Sequence, residues 1–377
     1  MKNKYKLYYL LLKWGIPMFE NYKSVRKAMS MLMAASICAT AMVGCSSETT
    51  PTNQTAEDAN KPAVTAPATN NEVSTAVETN RAPLIGISWR ADTDSEFYVN
   101  VAASIRAAGG IPVLLPEVLH QDLEYDKDNV LLNAADEQGA LLPEIAEMLK
   151  NDGYKRSNAA EIVAEVDAVV FTGGEDISSQ LYATPEVWHG IEDEKDYNVT
   201  RDANDFMLMD YCLDNNIPTL GICRGMQMMS VVSGAKMIQD IPTFMAGLGV
   251  EYNQEHRNVK ATPDSYRDFE SHDVVIKEGS IAEKFSGETL IEGAPSWHHQ
   301  AVESTEGTNL EVTGTLNVNG VDMVEIVERN DKDFAVGIQY HPEAVIDKTN
   351  DCQTNADDYM SYDDALEVFE YLVDVAK

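Results

Sequence analysis

The stretch I-P-T-L-G-I-C-R-G-M-Q, from Ile217 to Gln227, decides how the rest of the chain is read. Thr219 to Ile222 has the character of a buried strand and Met226 to Val232 that of a helix, so Cys223 is expected at the crest of a sharp strand-to-helix turn. Gly221 and Gly225 flank the crest, and a residue without a Cβ permits the close backbone approaches such a turn requires. A thiol there stands clear of the sheet, at a helix N-terminus whose unpaired N–H groups and dipole favour negative charge. This is a place to build a nucleophile. Taken alone, Cys223 also reads as one more small, buried, apolar residue.

Upstream, Leu84 to Trp89 reads as a strand, Val99 to Ala108 as a helix and Ile111 to Leu115 as a second strand, an order that predicts a parallel sheet. Ala159 to Val166 reads as a helix leading into the apolar strand Asp167 to Thr172, which ends at Gly173-Gly174-Glu175-Asp176. Ligands of open α/β sheets sit at such strand ends, and a glycine there either presents a bare N–H to an oxyanion or simply makes a turn. A helix over Asp202 to Asn215 then carries the chain to the cysteine strand. The acidic stretch Leu119 to Tyr154, with one amphipathic helix at Leu141 to Leu149, reads as an insertion at the sheet edge.

Downstream the pattern changes. From Gln254 to Asp331, short alternating segments such as His272 to Ile276, Leu310 to Thr315 and Met323 to Glu328 predict antiparallel strands. Ser296-Trp297-His298-His299-Gln300 gathers polar groups in one turn; the two histidines read as a surface pair, no third ligand at metal spacing is evident, and no metal site is expected. Ala335 to Tyr340 forms a last apolar strand with His341-Pro342-Glu343 at its end, and Asp363 to Val375 closes the chain as an amphipathic helix. The expected fold class is α/β, a mostly parallel central sheet flanked by helices, with an antiparallel C-terminal extension.

Cys223, His341 and Glu343 are the candidate constellation. A cysteine nucleophile needs a base within hydrogen-bond reach, and the base needs a third group to fix its tautomer. His341 and Glu343 are two apart, so in an extended segment both project to one side, and Pro342 stiffens their spacing.

The chain has 377 residues with a formal net charge of −34, which opposes binding to phosphate backbones and excludes nucleic acid as an expected partner. Its five cysteines show neither a CxxC spacing nor a disulfide framework. From Met18, a positive region (Lys23, Arg26, Lys27) precedes the small apolar run Ala28 to Val43, in the manner of an export signal, with Met18 read as the true start. The run ends at Gly44-Cys45, which resembles a bacterial lipobox and makes Cys45 the expected lipidation site; an uncleaved anchor is the alternative. Residues 1–45 are thus read as a signal peptide, 46–81 as a disordered tether and 82–377 as the folded domain, exported and lipid-anchored at a bacterial cell surface or facing the periplasm.

G-I-C-R-G-M-Q, the distal H-P-E, the T-G-G-E-D turn, Arg201-Asp202, Gln239-Asp240-Ile241 and S-W-H-H-Q together resemble the class I glutamine amidotransferase-like superfamily, which is flavodoxin-like in fold. More narrowly they resemble its gamma-glutamyl-gamma-aminobutyrate hydrolase branch, peptidase family C26, over roughly Pro83 to Ala376. The resemblance implies hydrolysis of a small gamma-glutamyl amide through a gamma-glutamyl thioester, with no metal or organic cofactor. Carried over by position, Cys223 attacks, His341 shuttles the proton and Glu343 orients it. The backbone N–H of Arg224 and one from Gly173 or Gly174 hold the oxyanion, while Gln227, His299 and Gln300 lie near the pocket. The family's asparagine is replaced by Ser230. A surface hydrolase of gamma-glutamyl peptide or cell-wall bonds, and a non-catalytic binding lipoprotein, stand as alternatives. The oligomeric state is left open, a homodimer included.

Overall fold

Continuous apolar runs and alternating ones sort this chain into two kinds of strand within one sheet. The computed structural model describes residues 81–92, 94–257, 269–346 and 359–377. The expected signal peptide, Cys45 and nearly all of the tether lie outside the described residues; Arg81, at the tether's end, pairs with Asp167.

The strands are β1 (Leu84–Ile87), β2 (Ile111–Leu114), β3 (Ala168–Phe171), β4 (Thr219–Ile222), β5 (Lys236–Ile238) and β6 (Glu270–Ile276). They continue with β7 (Leu290–Ser296), β8 (Ala301–Ser304), β9 (Leu310–Val318), β10 (Val321–Arg329) and β11 (Ala335–Ile338). The helices are α1 (Glu96–Ala107), α2 (Pro143–Asp152), α3 (Ala159–Ile162), α4 (Val199–Asp214) and α5 (Arg224–Val232). After them come α6 (Ile241–Leu248), α7 (Ile281–Ser286), α8 (Glu343–Ile346) and α9 (Tyr362–Val375).

Nine strands form one mixed sheet in the order β2-β1-β3-β4-β11-β10-β9-β6-β7. The first five are parallel. Their segments A-V-V-F (β3) and A-V-G-I (β11) are buried at every position, because helices cover both faces. Within β3, Val169 and Phe171 face the core beneath α4 and α5, whereas Ala168 and Val170 face the core beneath α1 and α9. The remaining strands are antiparallel. In β6 burial alternates over His272 to Ile276, as expected of a strand with one wet face. These strands are less an extension than a continuation of the same sheet: they precede β11, which returns to lie parallel beside β4.

Two local readings change. The helix expected over Ala159 to Val166 is only the single turn α3. The segment Leu119 to Tyr154 does not hang from the sheet edge; Leu131, Leu141, Ile145 and Leu149 pack into the core shared with Phe206 and Met207 of α4. Leu131 N–H donates to Thr200 Oγ1 at 3.1 Å and Leu141 N–H to Ser178 Oγ at 2.9 Å, which fixes the segment over α4.

Candidate active site

Four residues of β4 end in Cys223, whose φ of 49° and ψ of −105° place it outside the regions ordinary residues occupy. The turn is over-determined from both sides. A Cβ on Gly221 would lie 2.5 Å from the Gly225 carbonyl carbon, and one on Gly225 would collide with the Phe171 carbonyl oxygen. The expected crest is therefore present, and its two glycines are there for close approach.

The parallel pairing of β4 with β11 sets Ile222 opposite Ile338, so the residues after both strands emerge at the same end of the sheet. His341 and Glu343 are both buried, and the imidazole Nδ1 is 2.7 Å from Glu343 Oε1. This contact fixes the ring with Nδ1 as donor and leaves Nε2 free of any hydrogen bond among the described residues. A Cβ on Gly173 would lie 2.8 Å from His341 Cε1 and 3.5 Å from Cys223 Cβ, so the imidazole and the cysteine converge over that glycine. Burial opposes a charge on His341, but Glu343 and Cys223 outweigh it and raise the imidazole to about 10. Phe97 and Phe269 flank the ring at centroid distances of 6.0 and 5.4 Å.

Gly173 and Gly174 are held by two buried arginines. Arg90 Nη1 donates to the Gly173 carbonyl at 2.7 Å, and Arg201 Nη2 donates to the carbonyls of Thr172 and Gly173, each at 2.9 Å. Carbonyl and N–H point in opposite directions across a trans peptide, so anchoring these carbonyls turns the N–H groups of Gly173 and Gly174 away from the arginines. Among the described residues neither N–H has a backbone acceptor. Gly174 has a φ of 145°, and a Cβ there would run into both guanidinium groups.

The arginines belong to a larger buried network. Arg201 pairs with Glu175 and Asp205, and Arg224 reaches Asp202 Oδ1 at 2.6 Å and Asp205 Oδ2 at 2.5 Å. Burial would raise the Glu175 carboxyl, but Arg201, Arg224 and Arg90 hold it well below the usual range. The Arg224 side chain is thus spent on anchoring the turn to α4, and its backbone N–H is what remains at the crest.

The other expected residues are placed less simply. Gln227 Nε2 donates to the Gln300 carbonyl at 3.1 Å and to Gln339 Oε1 at 3.3 Å, tying α5 to the loop after β7. The Gln300 side chain is buried, with neither amide atom hydrogen-bonded among the described residues. His299 Nε2 is 2.9 Å from Asp176 Oδ1 and its Nδ1 is 3.4 Å from Asp240 Oδ1; burial opposes its charge, but these carboxylates raise it to about 9. His298 is not a surface residue. It is 4% exposed and faces Glu325, whereas His299, at the bend after it, faces Asp176. Arg90 and Asp205, which brace the site, are missed by sequence reasoning: Arg90 reads only as the end of the first strand, and Asp205 as one more polar residue in the run Thr200 to Asp205.

The Peptidase C26 family matches residues 145–343 of this chain. Protein NtpR of Enterococcus hirae is 30% identical over 186 residues, which cover 49% of this chain and 70% of that protein. A gamma-glutamyl-gamma-aminobutyrate hydrolase of Escherichia coli O157:H7 is 24% identical over 254 residues, covering 67% of this chain and 78% of the relative. The cysteine crest, the H-P-E strand end and the glycine pair all lie within the matched span, and the chain belongs to the Peptidase C26 family of class I glutamine amidotransferase-like hydrolases.

Proposed function

We propose that this protein hydrolyses a small gamma-glutamyl amide, gamma-glutamyl-GABA or a related compound, through a thioester on Cys223. The observation that carries the reading is the convergence of Cys223 and the Glu343-bonded imidazole of His341 over Gly173. Cys223 passes its thiol proton to His341 as the sulfur attacks the gamma-carbonyl carbon, and the carbonyl oxygen takes the negative charge. The N–H groups of Arg224 and of Gly173 or Gly174 receive it; removal of one such donor typically costs about 3 kcal/mol of barrier. The C–N bond then breaks, and His341 gives its proton to the leaving amine. A water molecule surrenders a proton to His341 as its oxygen attacks the thioester, which releases glutamate and restores the thiol. Glu343 keeps the imidazole in the tautomer that both transfers require. The glutamyl specificity is supported by the activity of the Escherichia coli relative rather than by a contact in the pocket.

The test incubates the full chain with gamma-glutamyl-GABA and a panel of gamma-glutamyl dipeptides and follows free glutamate by mass spectrometry. Release with wild type and none with Cys223→Ala is expected. A folded wild-type protein that releases glutamate from no member of the panel overturns the assignment.

A further inference from the structure

Four buried side chains from four segments meet away from Cys223. His256 precedes β6, His272 lies on β6, His298 follows β7, and Glu325 is on β10. His256 Nε2 is 3.4 Å and His298 Nε2 3.7 Å from Glu325 Oε1, while His272 Nε2 is 3.4 Å from Oε2. None of these nitrogens, and neither carboxylate oxygen, has a hydrogen-bond partner among the described residues.

The outer nitrogens explain why. His298 Nδ1 lies 2.8 Å from the Gln300 carbonyl and His272 Nδ1 lies 3.0 Å from the Glu255 carbonyl. A carbonyl only accepts, so both Nδ1 atoms carry hydrogen, and in the neutral ring each Nε2 turns a bare lone pair on the carboxylate. The Tyr252 hydroxyl lies 3.0 Å from His256 Nδ1 and orients that ring, with either atom able to donate. Acceptors facing acceptors in a dry interior require a positive charge between them. Protons on the rings would draw nitrogen and oxygen to about 2.7–2.9 Å. Donor atoms placed about 2.0–2.2 Å from a tetrahedral cation lie about 3.3–3.6 Å from one another, close to what is seen. The donor atoms of His256, His298 and Glu325 all lie within 4.8 Å of each other.

We infer that His256, His298 and Glu325 form a binding site for a divalent transition cation of the zinc type. His272, whose Nε2 faces the second carboxylate oxygen at 3.4 Å, is a positioning residue beside the site. Imidazole with one carboxylate is a borderline-soft set that suits zinc over magnesium or calcium. Carbonyls behind the ring N–H groups are the outer shell such ligands use. The cation would staple β10 to the segments before β6 and after β7, so it would be acquired on folding and would stabilise the fold. The sequence shows no third ligand at metal spacing because the side chains that meet His298 come from segments far apart in the chain.

The experiment uses the full chain carrying Cys223→Ser, so that the thiol takes no metal. After chelator stripping, Zn²⁺ is titrated against a chromogenic competitor and Co²⁺ is added for its visible spectrum. About one equivalent of Zn²⁺ per chain and a tetrahedral Co²⁺ band are expected. Glu325→Gln and His298→Asn should abolish both, and His272→Asn should weaken Zn²⁺ binding about 10- to 100-fold. Binding that survives in folded Glu325→Gln but disappears in His299→Asn assigns the ion to the neighbouring Glu194–Asp240–His299 group and overturns the proposal. Substoichiometric uptake also overturns it. Should the ligand variants fail to fold, the wild-type melting temperature decides: it must fall on chelation and recover with Zn²⁺, and an unchanged value refutes the site.

Discussion

Two histidine–glutamate assemblies are buried on neighbouring strands, and they are wired in opposite senses. At the end of β11, His341 turns Nδ1 to Glu343 at 2.7 Å and leaves Nε2 free toward the cysteine. On β10, Glu325 is approached only by Nε2 atoms, at 3.4 to 3.7 Å, while the Nδ1 atoms of His272 and His298 are spent on carbonyls. One strand-to-strand hydrogen bond, Gln339 N–H to the Glu325 carbonyl at 2.8 Å, separates the two arrangements. The same residue types therefore serve different ends. An imidazole oriented by a carboxylate on one nitrogen keeps the other for proton transfer, whereas imidazoles that aim their remaining lone pairs at a carboxylate can hold a charge but pass nothing on.

The largest expected effect tests the first assembly alone. Cys223→Ala or His341→Ala should lower kcat by about 10⁴-fold or more, with the two losses far from additive, because residues acting as one unit fail together. A double variant whose kcat falls by the product of the two single losses would separate the two groups. Next in size is the contrast between the glutamates. Glu343→Gln keeps the shape but loses the charge, and kcat should fall by about 10²- to 10⁴-fold. Glu325→Gln should act mainly on melting temperature. If the two substitutions gave the same pattern of losses, the comparison would be void.

The third effect lies beneath the crest. Asp205 meets Arg201 and Arg224 where both guanidinium groups are fully buried. Asp205→Ala leaves Arg201 with Glu175 and Arg224 with Asp202 but removes the carboxylate they share, and should cost about 3–5 kcal/mol of unfolding free energy, measured by urea denaturation. A cost below about 1 kcal/mol would mean that the network is idle and that the glycine pair is held by other contacts.

What the sequence discloses divides along the same line. Each parallel strand announces itself by a short, largely apolar run, and the catalytic candidates sit at the ends of such runs, so Cys223, His341 and the glycine pair can be placed at strand ends without coordinates. The second assembly cannot. His256, His272, His298 and Glu325 belong to antiparallel strands and their flanks, and which residues face one another across β6, β9 and β10 depends on register and on the bulges at His272/Val274 and Val324/Ile326. Local sequence does not carry that information. His298 and His299 read as one feature because they are adjacent. In the bent segment between β7 and β8 they face different partners, one Glu325 and the other Asp176. Arg201 is visible as part of a motif, but its grip on two carbonyls of another strand end is not.

The smallest effect sharpens the electrostatics of the first assembly. His341 is raised from 6.5 to about 10, so between those values the folded protein holds a proton that the unfolded chain has released. Stability from this source is complete below pH 6.5 and is lost as pH rises through about 10. The slope is negative and reaches at most about 1.4 kcal/mol per pH unit for one proton. Other groups titrate in this window, His299 at about 9 among them, so the readout is a difference between variants. Burial pulls the imidazole down, and the charge of Glu343 is the largest single influence lifting it, followed by that of Cys223. Urea denaturation across pH 7 to 10 should therefore show the steepest decline in wild type, a shallower one in Cys223→Ser and the shallowest in Glu343→Gln. If Cys223→Ser flattens the decline more than Glu343→Gln does, the proton is held by the sulfur, and the carboxylate of the first assembly serves geometry more than charge.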